Sequence, residues 1–188
     1  MLNYKLKLTN VKRQQLGFTF FELLVVMAII VIICGIVLGN NRYFSNRRQL
    51  DKAVQELALN IRWAQGLALE TRMVSGTVPD GFGIYIDSVN SYVLFYNPTG
   101  SGVRTYQAGV SQNWKTYSLG GALAFNNAPY NGGNNNINTF FLKPNPDCYI
   151  NGNGPGGIEE VATFEVRDVN NNIARQITVN DACMVKIL

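Results

Sequence analysis

The sequence predicts an α+β protein in which one long N-terminal helix packs on an antiparallel β-sheet domain. Three observations predict this fold: an apolar run near the N-terminus, a stretch with apolar residues every three or four positions, and then short β-rich runs separated by Gly and Asn. The predicted order is a membrane-spanning half of the helix at 18–39, an amphipathic half at 40–75 and a β-rich globular domain at 76–188. A basic segment, residues 1–17, precedes them.

The first half of the helix is long and apolar enough to cross a membrane. Phe18–Leu38 contains one charged residue in 21, and a helix of that length spans roughly 31 Å, about the thickness of the hydrocarbon core of a bilayer. The run is too long for the apolar region of an ordinary secretory signal, and no A-x-A site follows it. Within the run, Cys34 is expected to be a small buried hydrophobe.

The one charge in this run is the carboxylate of Glu22, which costs on the order of 2.5–3.5 kcal/mol near the bilayer centre and less near an end. It is either a tolerated acid that reaches the membrane surface or a functional group. Its neighbours favour a function. A basic stretch ends in Gly17, and Phe18-Thr19-Phe20-Phe21-Glu22-Leu23-Leu24-Val25-Val26 follows. This string closely resembles the class III signal of type IV pilins and pseudopilins.

The resemblance implies a pilin-like fold and a defined processing site. In that family a prepilin peptidase cuts after the glycine, so residues 1–17 are the leader peptide, and Gly17 and Phe18 flank the cut. The same enzyme methylates the new N-terminus, Phe18. Glu22 becomes the fifth mature residue, and pairing it with the terminal amine of a neighbouring subunit would set the axial register.

The resemblance also implies partners and a location. The partners are other pilin or pseudopilin subunits, the prepilin peptidase and an inner-membrane assembly platform. The chain is expected to cross the bacterial inner (cytoplasmic) membrane once, with its globular domain in the periplasm or outside the cell. It would then join a filament or the tip of a filament.

The second half of the helix shows an amphipathic pattern that continues to about Met73. Its apolar stripe should pack on the following sheet and consists of Leu50, Val54, Leu57, Ile61, Ala64 and Ala68. Trp63, at helical spacing, is expected in the core. Bending or melting is expected at the weak helix formers Gly35, Gly39, Asn40 and Asn41.

The β-rich domain contains stronger and weaker strand patterns. A hairpin is predicted at Phe82–Asp87 and Ser91–Asn97, and further strands at Val161–Arg167, Ile173–Val179 and Cys183–Ile187, with a turn at Val169–Asn172. Weaker strand patterns occupy Arg104–Gln107, Lys115–Leu119 and Thr139–Lys143. Asn126–Asn138 and Asn145–Gly157 are predicted loops.

Two segments of the domain resemble the GspH/FimT group of minor pilins and pseudopilins. LALNIRWAQGLALETRMVSG is similar to that group's Leu-rich helix entering the first strand, and ARQITVNDACMVKIL to its closing pair of strands. The group often has glycine where this chain has Ala182-Cys183.

The composition of the chain excludes several kinds of catalytic and metal site. The chain has no histidine, which excludes Ser-His-Asp and Cys-His catalysis and His-based metal sites. We expect no enzymatic activity, no cofactor and no bound metal. The net charge of +4 comes from residues 1–17, because the remainder has twelve basic and twelve acidic residues. Nucleic acid is therefore not an expected partner.

Two cysteines of the C-terminal half, Cys148 and Cys183, suggest a disulfide if the domain is exported, with free thiols as the alternative. The function expected from all these observations is a minor pilin or pseudopilin of a type IV pilus or of a type II secretion system. Two alternatives stay open: a DNA-uptake minor pilin, and an uncleaved single-pass membrane-anchored binding protein that would tolerate loss of Glu22.

Overall fold

The computed structural model describes residues 18–126, 137–144, 147–152, 154–156 and 161–188, and for 38–44 it describes the backbone only. The chain divides into two compact units, Met1–Asn41 and Arg42–Leu188. Helix α1, Phe20–Leu69, has 50 residues and contributes to both. Its first part, Phe20–Val37, has a mean hydropathy of 3.0, and its length and composition would allow it to cross a membrane.

Helix α1 is continuous through Gly35, Gly39, Asn40 and Asn41, so the melting predicted there is wrong. Helix propensity is a weak preference of at most about 1 kcal/mol per residue, and the flanking helical hydrogen bonds outweigh it here.

The helix ends at Leu69, four residues before the predicted end at Met73. Its last turn closes with hydrogen bonds from the Thr71 N–H to the Ala68 carbonyl and from the Arg72 N–H to the Leu67 carbonyl, each 3.2 Å. This is the Schellman arrangement, with Thr71 at the left-handed position (φ 48°) that glycine usually fills. Because Thr stands there, the sequence carried no glycine signal for the end of the helix.

The amphipathic stripe in the second unit is confirmed. All six predicted residues are at most 1% exposed: Leu50, Val54, Leu57, Ile61, Ala64 and Ala68. Trp63 was predicted to join them and does not, since 41% of it is exposed. Each residue turns the helix by about 100°, so Trp63 lies beside the stripe rather than on it.

The described residues form nine strands. In chain order they are β1 Gly81–Ser88, β2 Ser91–Asn97, β3 Gln112–Ser118, β4 Leu123–Phe125, β5 Asn138–Leu142, β6 Cys148–Ile150, β7 Val161–Asp168, β8 Ile173–Asn180 and β9 Val185–Ile187. They make a five-stranded sheet in the order β3-β2-β1-β5-β6 and a four-stranded sheet in the order β4-β7-β8-β9. Every pairing is antiparallel.

Most predicted strands are present. The hairpin is β1–β2, Val161–Arg167 and Ile173–Val179 are β7 and β8 joined by the predicted turn, and Thr139–Lys143 matches β5 within one residue. Lys115–Leu119 begins three residues too late for β3, and Cys183–Ile187 begins two too early for β9.

Three predictions in the loops differ from the structure. Arg104–Gln107 is not a strand, because the Asn97 side-chain amide binds the carbonyls of Val103 (2.8 Å) and Thr105 (3.1 Å) and holds this segment as a loop. The predicted loop Asn145–Gly157 contains β6, and β4 was not predicted. The predicted loop Asn126–Asn138 lies mostly outside the described residues.

One hydrophobic core joins α1 to both sheets. The helix stripe shares it with Phe82, Ile84 and Leu94 of the five-stranded sheet and with Phe164 and Ile177 of the four-stranded sheet. The α+β prediction is therefore confirmed, with two sheets against the helix.

A second, smaller cluster lies on the other side of the five-stranded sheet and comprises Tyr85, Val93, Phe95 and Phe140. A Cβ at Gly83 would lie 2.6 Å from the Phe95 ring and 2.5 Å from the Thr139 carbonyl oxygen, which explains why glycine occupies this position.

Candidate functional site

The segment around the predicted processing site begins at the edge of the described chain. Gly17 lies outside the described residues. Phe18 precedes the helix and is 83% exposed. The predicted cut would therefore leave a new terminus two residues before the first residue of α1, Phe20.

Thr19 caps the start of α1. Its hydroxyl oxygen accepts the N–H of Glu22 at 3.3 Å, and its carbonyl accepts the N–H of Leu23 at 3.2 Å. The first bond satisfies an N–H at the start of the helix that has no partner within the helix itself, and the second is the first backbone hydrogen bond of the helix. Sequence reasoning did not assign a role to Thr19. The signal for it was present, because Thr three residues before Glu at the start of an apolar run is the capping-box pattern.

Glu22 occupies the first turn of α1. It is the single charged residue of Phe20–Val37. A carboxylate at this position is favoured by the positive end of the helix dipole. The chemistry open to it is to accept hydrogen bonds near the start of its own helix or to pair with a cation on another chain.

The apolar half of α1 is exposed among the residues that the structure describes. None of Phe20–Val37 is buried, and side chains such as Val31 (70%) and Ile36 (68%) are largely exposed. Cys34, predicted to be buried, is exposed with them. A helix that is apolar on every side is stable when lipid or other helices surround it.

Comparison with known proteins bears on this same segment. The family described as the prokaryotic N-terminal methylation motif matches residues 12–38. The chain carries a prokaryotic N-terminal methylation motif. The motif indicates a type IV pilin-like prepilin leader, and its family implies membrane anchoring through the apolar helix and assembly with other pilin subunits. Among curated proteins and solved structures, no match to the chain was found.

In the domain, the structure brings Cys148 and Cys183 together. Both are buried, and their side chains hydrogen-bond to each other. The hydrogen bond with Cys183, together with burial, raises the pKa of the Cys148 thiol. A disulfide between them stays a prediction.

The Asp80 carboxylate is held by a loop of the same domain. It accepts hydrogen bonds from the Gly100 N–H (3.0 Å), the Ser101 hydroxyl (3.1 Å) and the Gly102 N–H (3.4 Å), and the Arg104 guanidinium lies 4.0 Å away. Burial alone would raise the pKa of Asp80, but these donors and Arg104 outweigh it and lower that pKa. Its donors are N–H and O–H groups, so Asp80 anchors the loop and does not offer a cation site.

An open polar groove of about 380 Å³ lies between α1 and the β3–β4 connection, with Lys52, Glu56 and Tyr92 among its lining residues. Burial raises the pKa of Tyr92 well above its usual value, and the hydroxyl accepts a 2.8 Å hydrogen bond from Asn60. Tyr92 therefore stays protonated and cannot act as a base. The described part of the chain contains no group of three His, Cys, Asp or Glu side chains placed to hold a metal.

Proposed function

We propose that this chain is the precursor of a minor pilin or pseudopilin, a structural subunit of a type IV pilus or a type II secretion pseudopilus. It has no enzymatic activity in this proposal. One observation carries it: the methylation motif at residues 12–38 overlaps an apolar helix segment, Phe20–Val37, none of which is buried among the described residues. A subunit that assembles through this helix needs both features.

Processing would begin at the cytoplasmic face of the bacterial inner membrane. There a prepilin peptidase cuts between Gly17 and Phe18 and methylates the Phe18 amine, while the basic leader stays in the cytoplasm. The mature chain keeps a single span with its globular domain in the periplasm or outside the cell. An inner-membrane assembly platform then moves the helix from lipid into the filament or its tip.

Glu22 would set the register of each added subunit. The cut creates a positively charged amine at Phe18, and two isolated charges among apolar helices are costly. Pairing the Glu22 carboxylate of one subunit with the Phe18 amine of its neighbour offsets both costs. Because few axial positions allow this pair to form, the interaction specifies how subunits align.

The globular domain would provide the subunit's specific contacts. The resemblance of its helix and closing strands to GspH/FimT proteins supports a minor pilin or pseudopilin over a major one. In this proposal the domain lies in an oxidising compartment, where Cys148 and Cys183 would be joined as a disulfide.

A DNA-uptake subunit is the weaker proposal within this class. Such a protein needs clustered cations on its exposed domain. Here Arg175 lies 3.3 Å from Asp51, Arg104 is near Asp80, and Lys115 lies over the Tyr117 ring. These three cations are engaged one by one across the domain rather than gathered on one face.

The test is Glu22→Ala in cells that have the assembly machinery. We expect the variant to insert in the membrane but to be at least tenfold depleted from the sheared filament or pseudopilus fraction, measured by immunoblot. Val31→Ala is the control, since it removes apolar atoms from the same span without removing a charge. Its assembly should match that of the unchanged chain.

Assembly of Glu22→Ala at the unchanged level would contradict the proposal. It would favour an uncleaved membrane-anchored binding protein, whose span has no need of a carboxylate. Loss of both variants from the membrane would also count against it, because the role given to Glu22 lies in assembly and not in insertion.

A further inference from the structure

The polar groove between α1 and the β3–β4 connection carries two opposite charges. Lys52 and Glu56 both line it, both are exposed, and they are neighbours on the helix surface. The ion pairs in the described part of the chain involve neither of them. Lys before Glu at this spacing is the less favourable order for a pair within a helix. Both charges are therefore available to a ligand in the groove.

Tyr92 adds a buried hydroxyl to the lining of the groove. The residue is 2% exposed, and its hydroxyl oxygen accepts the Asn60 amide N–H at 2.8 Å. Among the described residues, no atom accepts the proton of this hydroxyl. Burial raises the pKa of Tyr92, with a smaller contribution from the Glu56 carboxylate, so the hydroxyl keeps its proton. A buried O–H without an acceptor costs free energy, and a ligand carbonyl in the groove would supply the acceptor.

The rest of the groove has room for a small molecule with an apolar part. Its volume of about 380 Å³ is that of a small ligand pocket. Three apolar residues contribute to its wall: Ala53, Leu119 and Leu123. Gly121 has a φ of 67°, and a Cβ there would lie 3.0 Å from the Gln49 Oε1 atom. A side chain at this position would be strained and would press on Gln49, which explains why glycine stands at this wall.

We propose that this groove binds a zwitterionic peptide of two residues, with its carboxylate at Lys52 and its ammonium group at Glu56. These two helix positions are about 6 Å apart along the axis, and two extended residues span about 7 Å. The peptide carbonyl accepts the Tyr92 O–H, and an apolar side chain of the ligand contacts Leu119 or Leu123. The site lies wholly within the second unit and does not depend on leader cleavage or filament assembly.

The first experiment titrates the full chain, labelled with ¹⁵N in detergent at pH 7, with the dipeptide Ala-Leu. The amide signals of Gly120 and Gly121 report on the groove, which both residues line. We expect saturable shifts with a Kd of about 1 mM, as for a small ligand held mainly by exposed charges. N-acetyl-Ala-Leu amide, which has neither charge, should bind at least about tenfold more weakly. Absence of saturable shifts up to about 20 mM dipeptide, or equal binding of the capped peptide, would overturn the proposal.

Two further ligands test the spacing of the charges. The tetrapeptide Ala-Leu-Ala-Leu separates its termini by about 14 Å when extended, so it should bind at least about fivefold more weakly than Ala-Leu. Sodium acetate offers a carboxylate alone and should cause no saturable shift in the same concentration range. Equal binding of the tetrapeptide would contradict the proposal. Acetate shifts that match those of the dipeptide would show an adventitious anion site only, which also contradicts it.

Substitutions test the two charges separately. Lys52→Gln and Glu56→Gln alter exposed side chains, so the melting temperature should stay unchanged while each weakens Ala-Leu binding at least about fivefold. The matched controls are Arg72→Gln and Glu70→Gln, at exposed residues just beyond the end of α1 that are not among the groove's lining residues. Both should bind Ala-Leu as the unchanged chain does. Weakened binding in only one of the two groove variants, or in neither, would overturn the proposal.

Discussion

The two halves of α1 are alike in backbone and opposite in burial. Phe20–Val37 has no buried residue, whereas the six stripe residues between Leu50 and Ala68 are each at most 1% exposed. The first half is apolar on every side except at Glu22. The second places its apolar residues on one side and charged residues such as Lys52 and Glu56 elsewhere.

This difference shows where each half obtains its stability. Burying a large apolar side chain contributes about 1.5–3 kcal/mol. The second half realises that gain inside its own domain. The first half is not buried among the described residues, and lipid or other helices would supply that gain in a membrane or a filament. Substitutions in the first half should therefore leave the stability of the domain unchanged, and substitutions in the second half should leave membrane anchoring unchanged.

The largest effect expected from this comparison is at Leu57. It is fully buried, so Leu57→Ala should lower the free energy of unfolding of the domain by about 2–5 kcal/mol. Leu24→Ala makes the same change at a side chain that is 52% exposed, and its effect should be within about 0.5 kcal/mol. Denaturant unfolding of the full chain in detergent, followed by tryptophan fluorescence, measures this, because both tryptophans lie in the second unit.

Equal destabilisation by the two Leu→Ala changes would contradict this difference between the halves, since it would mean that the apolar half supports the domain. A negligible effect of Leu57→Ala would contradict it as well, because the amphipathic half would then not stabilise the domain.

A smaller effect, which depends on pH, is expected at Asp80. The pKa of Asp80 is lowered in the folded domain, so its carboxylate adds stability above the unfolded pKa of about 3.9 and loses it as the pH falls through the folded pKa. Asp80→Asn should lower the free energy of unfolding of the domain by about 1–2 kcal/mol at pH 7, because it replaces the charged acceptor of these hydrogen bonds with a neutral one. The difference in free energy of unfolding between the wild type and Asp80→Asn should shrink as the pH falls below about 4.

The matched control for this prediction is Asp87→Asn. Asp87 is an exposed carboxylate near the end of β1, whereas Asp80 directly precedes the strand. Its unfolding curve at pH 7 should follow that of the unchanged domain. A difference between wild type and Asp80→Asn that is the same at pH 7 and pH 3 would contradict the role given to the charge.

The fold was predictable where the deciding pattern is local. The stripe of α1 and the β1–β2 hairpin follow from periodicity over neighbouring residues, and both are present. Strands β4 and β6 have three residues each, too few for alternation to show. Arg104–Gln107 failed for a non-local reason: Asn97 binds its backbone, and Tyr106 stacks on Tyr85 with ring centroids 4.1 Å apart.

The residues of the candidate site were likewise predictable where their pattern is local. Gly17, Phe18 and Glu22 stand out because their motif is contiguous, and the match to residues 12–38 covers all three. The meeting of Cys148 with Cys183 depends on the order of strands in two sheets, which no local pattern specifies. The burial predicted for Trp63 is wrong because helical spacing alone does not fix which side of the helix a residue occupies. Trp63 is one residue before the stripe residue Ala64, and one residue turns a side chain by about 100° around the helix.

The central claim, that the chain is a processed pilin-like subunit, is tested most directly by intact mass spectrometry of the protein from its native membranes. We expect a chain that begins at Phe18 and is about 14 Da heavier from methylation and about 2 Da lighter from one disulfide. The methylation and the cut report on the leader, and the loss of about 2 Da (two hydrogens) reports on the Cys148–Cys183 disulfide alone. A chain that still begins at Met1 in cells with an active prepilin peptidase would contradict the account.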